Sequence, residues 1–337
     1  MDSLTQIVLG AAVSVAVMRR RTAVWKAALW GGVAGTLPDL DVFFSHGDPI
    51  LDMVLHRAES HAPFWQTLFS LPFAWLVARL HGEQAQWRWW WLALWLALVT
   101  HPLLDAFTVY GTQLGLPFTN HPYALGSVFI IDPAVTLPWL LGLLVVLVRR
   151  GDPRGQRANV VGLLVGTAVL LFGLVLQSHV DTHARRSLAL QGVEPERVLV
   201  TPAPFSMLLW RVVAVDGAHY HEGFHALLDP AGPMQFERFD RGARDESVVA
   251  GIDGAQRIRN FSHGFYKLHE TAQGQLVITD LRMGQEPHYS FAFVVAERGS
   301  DYRPLPVAQA VGGHGDVGAG WAWLKRRIRG ERLPPPR

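Results

Sequence analysis

Three pairs of histidine and aspartate side chains occur at the ends of apolar stretches of this sequence. The pairs are Asp39 with Asp41 in GTLPDLDVFF, His56 with His61 in LHRAESHAPFW, and His101 with Asp105 in THPLLDAFTVYG. The chain has no cysteine, so a metal site would have to use imidazole and carboxylate donors. These donors suit a divalent cation such as Zn²⁺ or Mn²⁺. An ion with an open coordination position would bind water, whose pKa falls to about 7 on zinc, and the hydroxide so generated attacks an ester, phosphoester or amide.

The spacing within a pair sets how easily it can bind one ion. His101 and Asp105 are four residues apart, which places both on one face of a helix. A core histidine paired with an aspartate is the alternative interpretation. Asp39 and Asp41 follow a proline that ends or kinks the preceding helix, so both carboxylates can turn inward and bind one ion, or one each of two. A solvated helix end is the alternative for this pair.

The remaining pair needs a bend in the chain. On an unbroken helix His56 and His61 would diverge by about 140°, at roughly 100° per residue. They converge only if the segment between them turns, and each taken alone also suits an interface histidine. Glu59, between them in the sequence, is a candidate acceptor for the proton of an attacking water.

The composition indicates a membrane protein. Of 337 residues, 50% are hydrophobic and only 17% are charged. Residues 158–178 carry no charge, and at about 1.5 Å per residue they can cross a bilayer core of about 30 Å. Residues 4–18 are not typical of a signal peptide, because Asp2 precedes them and the three arginines at 19–21 follow them. The net charge of +2, with arginines clustered beside apolar segments, gives no support for nucleic-acid binding.

Six apolar segments predict an all-α bundle of about six membrane helices. They are residues 4–18, 23–37, 62–80, 87–104, 128–148 and 158–178. Basic clusters lie in three loops, at 19–26 between the first and second segments, at Arg79 with Arg88 between the third and fourth, and at 149–157 between the fifth and sixth. The positive-inside rule places these three loops in the cytoplasm. All three His/Asp pairs then lie at the opposite face, which is periplasmic in a bacterial inner membrane. Polar groups at the ends of apolar helices are costly unless something binds them.

The composition changes after residue 181. Three later segments are rich in β-branched and aromatic residues and are bounded by turn residues, which predicts strands. These segments are residues 207–215, 274–283 and 288–297. The expected domains are a membrane-embedded helical domain at 1–182, a mainly β extramembrane domain at 183–318 and a basic C-terminal tail at 319–337. Residues 321–337 have the pattern of a basic amphipathic helix, which would sit more naturally on the cytoplasmic side. The count of six helices instead predicts the periplasmic side for this segment.

Further candidate ligands lie on the same predicted side of the membrane. They are His121, Asp132, His179, Asp181, His183, His219, His221 and His225. His179 and His183 are four residues apart, and HYHEGFH places three imidazoles on one face of a strand. The alternative interpretation of the first group is a solvated helix end. The alternative for HYHEGFH is a surface strand, or after that a strand that binds metal adventitiously.

Four motifs follow one another in order along the first 111 residues. They are MDSLTQIVLGAA at the start, LPDLDVF at 37–43, H-R-x-x-S-H at 56–61 and T-H-x-L-L-D-x-x-T-x-Y-G at 100–111. Together they resemble the YdjM-like family of inner-membrane metal-dependent hydrolases, over about residues 1–180. The resemblance implies a helical membrane hydrolase with a distant likeness to zinc-dependent phospholipase C and P1-type nucleases. The metal or catalytic positions that it implies are Asp39, Asp41, His56, His61, His101 and Asp105.

Three positions depart from the pattern of that family. Many members have His where this chain has Gln6, Gly where it has Ala58, and Ser or Thr where it has Ala62. A glutamine can form hydrogen bonds but is a poor ligand for transition metals, so one metal ligand would be missing or supplied elsewhere.

The leading functional hypothesis is a membrane-embedded metal-dependent hydrolase that acts on a phosphoester or other ester of a lipid or lipid-linked substrate. Asp41, His61 and Glu59 are its candidate catalytic residues, and membrane lipids are its expected partners. The alternative is a non-enzymatic transporter or metal-binding scaffold. The clustering of polar residues at one face, away from the bilayer midplane, favours the hydrolase. A third hypothesis makes the membrane part an anchor for a binding β domain.

Overall fold

Helices make up most of the first 190 residues of the chain, and antiparallel sheets account for much of the rest. The structure is a computed structural model that describes residues 1–242, 246–299, 301–313 and 315–337. The first seven helices are α1 (Ser3–Met18), α2 (Val24–Thr36), α3 (Pro49–Leu55), α4 (Pro63–Leu80), α5 (Trp87–Asp105), α6 (Pro133–Val148) and α7 (Pro153–Leu190). Short 3₁₀ segments lie between some of them, at Leu37–Phe43, Glu59–His61 and Gln84–Gln86. The predicted helical N-terminal part and mainly β C-terminal part are therefore confirmed.

Local caps explain where several helices begin. The Asp2 carboxylate accepts a hydrogen bond from the Thr5 backbone N–H at 3.1 Å, at the start of α1. Asp132 does the same for Ala134 at 2.9 Å, at the start of α6. Prolines also occupy the first turns of α4 and α6, where their missing N–H costs nothing.

Two helices differ from the prediction. α7 continues to Leu190 and does not end at residue 178, because the polar sequence that follows also forms helix. An ion pair between Asp181 and Arg185, one turn apart with an N···O distance of 2.9 Å, supports this extension. The short helix α3 lies in a segment for which no helix was predicted.

One helix of the described residues is long and apolar enough to cross a membrane. This helix is α7, with 38 residues. Two further helices, α1 and α6, are apolar but have only 16 residues each. A predicted bundle of six membrane-crossing helices therefore stays a prediction.

Helices α1 and α2 approach each other closely along a seam of glycines. A Cβ atom at Gly10 would lie 2.3 Å from the carbonyl oxygen of Gly31, and one at Gly35 would lie 2.5 Å from the carbonyl oxygen of Gln6. Contacts this short exclude any side chain, so only glycine permits the approach. The seam fixes the position of the Gly35 carbonyl group, which matters for the site described below.

Two four-stranded antiparallel sheets form the C-terminal part, in the orders β1-β2-β3-β4 and β10-β9-β6-β5, with a small β7-β8 hairpin. The strands are β1 (Arg197–Pro202), β2 (Leu209–Asp216), β3 (His219–Ala226), β4 (Phe236–Asp240), β5 (Tyr266–Glu270), β6 (Gln275–Asp280), β7 (Gly284–Gln285), β8 (His288–Tyr289), β9 (Ala292–Arg298) and β10 (Tyr302–Ala310). The helices of this part are α8 (Glu246–Val249), α9 (Asp253–Phe261) and α10 (Val317–Ile328). The three predicted strand segments correspond to β2, to β6, and to β8 with most of β9.

A buried ion pair links β2 to β3. The guanidinium group of Arg211 lies 2.6 Å from the Glu222 carboxylate, and both side chains are almost fully buried. Arg211 also donates a hydrogen bond of 2.8 Å to the carbonyl oxygen of Leu281, just after β6. The pair is therefore satisfied on both sides, as a buried charge requires.

The C-terminal basic segment forms the amphipathic helix that its sequence predicts. Trp323 and Leu324 of α10 are buried against Leu209 and Ala226, while basic residues occupy the last turn. One of these, Arg327, forms an ion pair with Asp229.

The chain divides into two compact units. The first comprises Met1–Phe44, Leu55–Val175 and Pro204–Ser206, and the second comprises Ser45–Val54, Leu176–Ala203 and Met207–Arg337. The short segment that contains most of α3 belongs to the second unit, where the Asp48 carboxylate accepts a hydrogen bond of 3.0 Å from the backbone N–H of Ala308. The domain boundaries at 182 and 318 stay predictions.

Candidate metal centre

Four side chains of the first unit converge on one point. Asp39, His61, His101 and Asp105 each offer one donor atom, and these atoms all lie within 4.8 Å of one another. Asp39 lies on the 3₁₀ segment after α2, His61 on the 3₁₀ turn before α4, and the other two on the last turn of α5. Three separate segments therefore supply the four donors.

The donor atoms are arranged with both imidazoles facing inward. The Nε2 atoms of His61 and His101 lie 3.1 Å apart. Each of these nitrogens is 3.4 Å from Oδ2 of Asp105, and they are 3.5 and 3.3 Å, respectively, from Oδ1 of Asp39. Asp39 is partly exposed, whereas the other three side chains are buried, so the cluster opens toward solvent on the Asp39 side.

The outer nitrogen of each imidazole has its own partner. Nδ1 of His101 lies 2.7 Å from the Gly35 carbonyl oxygen, which can only accept, so Nδ1 donates and Nε2 carries the lone pair. Nδ1 of His61 lies 2.8 Å from Oγ of Ser60 and 3.3 Å from Oδ2 of Asp41. Metal-binding histidines are held by outer partners of this kind, because the outer hydrogen bond fixes the tautomer and the ring orientation.

Asp41 and His56 lie one contact further out than the four converging donors. Asp41 accepts hydrogen bonds from Nδ1 of His56 at 2.7 Å, from Ser60 Oγ at 2.6 Å and from the Arg57 backbone N–H at 3.1 Å. The imidazole of His56 contacts that of His61 edge-on, with ring centroids 5.8 Å apart. Of the six ligands that the sequence suggests, the structure thus brings four together around one point and places these two behind His61.

A left-handed residue produces the turn that brings His56 and His61 together. Arg57 has φ +68°, and its carbonyl oxygen accepts a hydrogen bond of 3.0 Å from the backbone N–H of Gln113. A non-glycine residue in this conformation is strained by about 1–3 kcal/mol, so the surrounding contacts must hold it there. The bend that the five-residue spacing required is therefore present.

The charges of the cluster stabilise one another. Burial alone would raise the pKa of Asp39 and Asp41, but hydrogen bonds with the histidines outweigh it and hold the pKa of both carboxyls well below its ordinary value. Burial alone would lower the pKa of His61, but the carboxylates of Asp105, Asp39 and Asp41 raise it to about 9. Both aspartates are ionised at neutral pH, and the site attracts cations.

Asp105 is surrounded by charged and polar groups, yet one of its oxygens makes no hydrogen bond. Its Oδ1 contacts the amino group of Met1 and accepts a hydrogen bond of 3.0 Å from Nε2 of Gln6. Its Oδ2 lies 3.3 Å from Nε of Arg57, yet it makes no hydrogen bond although it is fully buried. Gln6 therefore orients Asp105, at the position where many members of the resembled family have histidine.

The residues present fit a divalent metal ion. Two imidazole nitrogens and two carboxylate oxygens form a donor set that suits Zn²⁺ or Mn²⁺. The buried Asp105 Oδ2 lies 3.4 Å from both Nε2 atoms and makes no hydrogen bond, and its one close cation is the Arg57 guanidinium at 3.3 Å. A metal ion between the two imidazoles would give this oxygen a direct partner. A cation could therefore bind to Asp39, His61, His101 and Asp105.

Other candidate residues lie elsewhere. Glu59 is exposed at the start of its 3₁₀ turn and makes no ion pair or hydrogen bond with the four donors. His121 is exposed beside Tyr123, with ring centroids 4.8 Å apart, and Asp132 caps α6. The second unit contains the remaining ones, which are His179, Asp181, His183, His219, His221 and His225.

Three further residues of the site are not among the candidate residues that the sequence suggests. Ser60 bridges Asp41 and His61, the Gly35 carbonyl holds His101, and the Arg57 guanidinium lies beside Asp105. Ser60 and Arg57 stand within the H-R-x-x-S-H motif, so their place between two candidate ligands was the available clue. Gly35 could not be found in this way, because it contributes only a backbone atom.

Comparison with known proteins gives one family match. The sequence profile of the family described as YdjM inner membrane protein matches residues 1–180, which is more than half of the 337 residues. The chain belongs to this family. Membership of the YdjM family confirms the resemblance of the four motifs, and the family description supports a location in the inner membrane.

One similar curated protein extends the match beyond the YdjM region. The uncharacterized protein YfhP of Bacillus subtilis (strain 168) is 25% identical over 313 residues, which cover 88% of this chain and 90% of the relative. The similarity therefore includes most of the β region as well as the helices. No solved structure matches the chain.

Proposed function

We propose that this protein is a multi-pass inner-membrane hydrolase that uses a divalent metal ion, Zn²⁺ or alternatively Mn²⁺, to hydrolyse a phosphoester of a lipid or lipid-linked substrate. The observation that carries the proposal is the convergence of the donor atoms of Asp39, His61, His101 and Asp105 within 4.8 Å. These four residues would hold the ion. A divalent ion with this donor set activates water for attack on an ester at neutral pH.

The outer residues would keep the ligands in place. Asp41 accepts from His56 and Ser60 and lies beside Nδ1 of His61, so it acts on the metal centre by orienting that imidazole. The Gly35 carbonyl acts on His101 in the same way. The part of Glu59 as proton acceptor remains a prediction from the sequence.

A phosphoester is the favoured substrate because a guanidinium group lies beside the metal ligands. Nε of Arg57 is 3.3 Å from Asp105, its Nη1 donates a hydrogen bond of 3.1 Å to Thr108, and its guanidinium carbon lies 4.9 Å from the centre of the Tyr110 ring. The Arg57 side chain is buried, and a fixed positive charge beside the metal ligands would favour the charged oxygens of a phosphoester over a neutral carboxyl ester.

A lipid is favoured because the 3₁₀ segment that carries Asp39 and Asp41 also presents apolar side chains to the outside. Val42, Phe43 and Phe44 are 66%, 81% and 72% exposed. Large apolar groups at this exposure are unfavourable in water and suit the interface of a bilayer. The segment would therefore rest in the membrane surface with its carboxylates turned toward the metal, on the periplasmic side that the positive-inside rule gives.

The metal is tested by elemental analysis of the full-length protein purified in detergent. We expect one stoichiometric divalent ion at the centre in wild type, its loss in His101→Ala and Asp105→Ala, and loss of phosphodiester hydrolysis in both variants. His121→Ala and Asp181→Ala are matched controls, since both residues lie outside the cluster, and they should keep metal and activity. Absence of a stoichiometric ion from wild type would remove the basis of the proposal, and residue-dependent ion uptake without hydrolysis would favour a transporter.

The lipid substrate is tested separately with two kinds of phosphodiester. A variant with Phe43→Ser and Phe44→Ser should hydrolyse phospholipid in vesicles more slowly than wild type, while hydrolysis of a water-soluble aryl phosphodiester stays unchanged. Equal loss on both substrates, or loss on neither, would contradict a lipid-facing role for this segment.

A further inference from the structure

Two imidazoles join helix α7 to strand β3 in the second unit. The ring centroids of His183 and His225 are 4.6 Å apart, with an angle of 42° between the ring planes. The helix is fixed here by other contacts, because Ser187 and Gln191 bond the backbone of Met234 at 3.0 and 2.9 Å. The two imidazoles are therefore brought together by elements whose positions do not depend on the pair itself.

One ring nitrogen of His183 has no hydrogen-bond partner. Its Nε2 is buried and makes no hydrogen bond to any described residue. A buried polar atom without a partner is unfavourable, and the neighbouring imidazole offers only a ring contact at this angle. A bound cation would satisfy the lone pair of a neutral imidazole at this position.

A carboxylate stands behind His225. Nδ1 of His225 lies 3.4 Å from Oδ2 of Asp229. Asp229 is itself held by Arg327, whose Nη2 donates a hydrogen bond of 2.7 Å, and by the backbone N–H of Ala226 at 3.0 Å. A carboxylate at Nδ1 leaves Nε2 of the same ring as the donor atom, which is the usual arrangement behind a metal-binding histidine.

A third imidazole belongs to the same helix as His183. His179 is one helical turn before His183 on α7, and residues four apart on a helix have neighbouring side chains. It is exposed, so its ring can change rotamer without disturbing the core. Among the described residues, only the donor atoms of the centre at Asp39 already lie within 4.8 Å of one another. The three histidines do not yet converge in this way, so metal binding by them requires rotation of the His179 side chain.

We propose that His179, His183 and His225 form a second metal site, which binds a divalent transition-metal ion with Zn²⁺ as the best-suited ion. Imidazole nitrogen is a preferred donor for Zn²⁺, and three such donors leave a position for water. The ion would tie the end of α7 to β3 and so stabilise the second unit by binding to its folded form alone. This site is independent of the hydrolase proposal, because all of its ligands lie in the second unit.

The site is tested with full-length protein stripped by a chelator and titrated with Zn²⁺ in detergent. We expect wild type to bind one more zinc ion than the double variant with His183→Gln and His225→Gln. His179→Gln changes an exposed residue, so the variant should fold normally. Loss of an outer hydrogen-bond partner of a metal-binding histidine weakens metal affinity by about 10-fold, and loss of a ligand should weaken zinc binding at this site at least as much. His219→Gln, six residues before His225 on β3 and so about 20 Å away, is the matched control and should bind as wild type does.

Thermal unfolding gives a second readout that does not depend on the double variant being stable. Zinc should raise the melting temperature of Asp105→Ala, in which the first centre is disabled, and this rise should disappear when His179→Gln is added. The proposal is overturned if wild type and the double variant bind equal amounts of zinc. It is also overturned if His179→Gln binds zinc like wild type, which would indicate adventitious binding elsewhere.

Discussion

The substitution Gly35→Ala tests how the helix seam positions the metal centre. The new Cβ would lie 2.5 Å from the carbonyl oxygen of Gln6, whereas Cβ atoms essentially never approach another heavy atom closer than 3.0 Å. Helices α1 and α2 must then part by about 0.5 Å, the difference between these two distances, and overpacking of this kind costs about 1–3 kcal/mol of folding free energy. When α2 moves, the Gly35 carbonyl group moves with it, and this carbonyl accepts the hydrogen bond of 2.7 Å from Nδ1 of His101.

The expected result is therefore a lower melting temperature together with weaker metal binding. Loss of an outer hydrogen bond to a metal-binding histidine weakens metal affinity by about 10- to 100-fold. The assays are thermal unfolding of the full-length protein in detergent and a competition titration with a chromophoric zinc chelator. Gly32→Ala is the matched control, because its Cβ would meet the Ile7 side chain at 3.3 Å and a side chain can give way.

Two results would refute this reasoning. If Gly35→Ala and Gly32→Ala changed stability and affinity equally, the close approach to the Gln6 backbone would not limit the seam. If Gly35→Ala lowered stability but left zinc affinity unchanged, the Gly35 carbonyl would not be what orients His101.

Three further predictions concern other contacts. Ser60→Ala removes the hydroxyl that donates to Asp41 at 2.6 Å, so zinc affinity should fall about 10- to 100-fold in the same titration while the melting temperature changes little, and an unchanged affinity would contradict a positioning role. Glu83→Gln weakens an acceptor of three hydrogen bonds. Burial alone would raise the pKa of Glu83, but its hydrogen-bond donors, with Lys26 foremost, lower this pKa below its ordinary value of 4.5. The ionised carboxylate therefore stabilises the fold above pH 4.5, and this stabilisation is lost as the pH falls below that value. The melting temperature of Glu83→Gln should therefore lie below that of wild type at pH 7, and the gap should narrow progressively as the pH falls from 4.5 through the lowered pKa of Glu83 in the folded protein. A gap that does not depend on pH would contradict this. Glu222→Gln leaves the buried Arg211 charge unpaired and should cost about 3–5 kcal/mol, measured by unfolding against the exposed control Glu196→Gln, whose loss should stay within about 1 kcal/mol.

The sequence by itself determined the donor types and most of the helices. Without cysteine, only imidazole and carboxylate could bind a metal, and the four-residue spacing of His101 and Asp105 placed both on one face of α5. Apolar segments located most of the helices, and capping aspartates and first-turn prolines fix where α1, α4 and α6 begin, because these signals act within a few residues. Richness in β-branched and aromatic residues, with turn residues at either end, identified β2 and β6 for the same reason.

Only the tertiary structure decided which donor of each remaining pair faces the centre. Asp39 rather than Asp41, and His61 rather than His56, join the converging group, and that choice follows from a 3₁₀ segment and from the left-handed Arg57. The tautomer of His101 depends on a carbonyl from α2, and the pairing of His183 with His225 depends on where α7 packs against β3. The last two outcomes depend on contacts between residues more than 40 positions apart in the chain, and no local pattern encodes them.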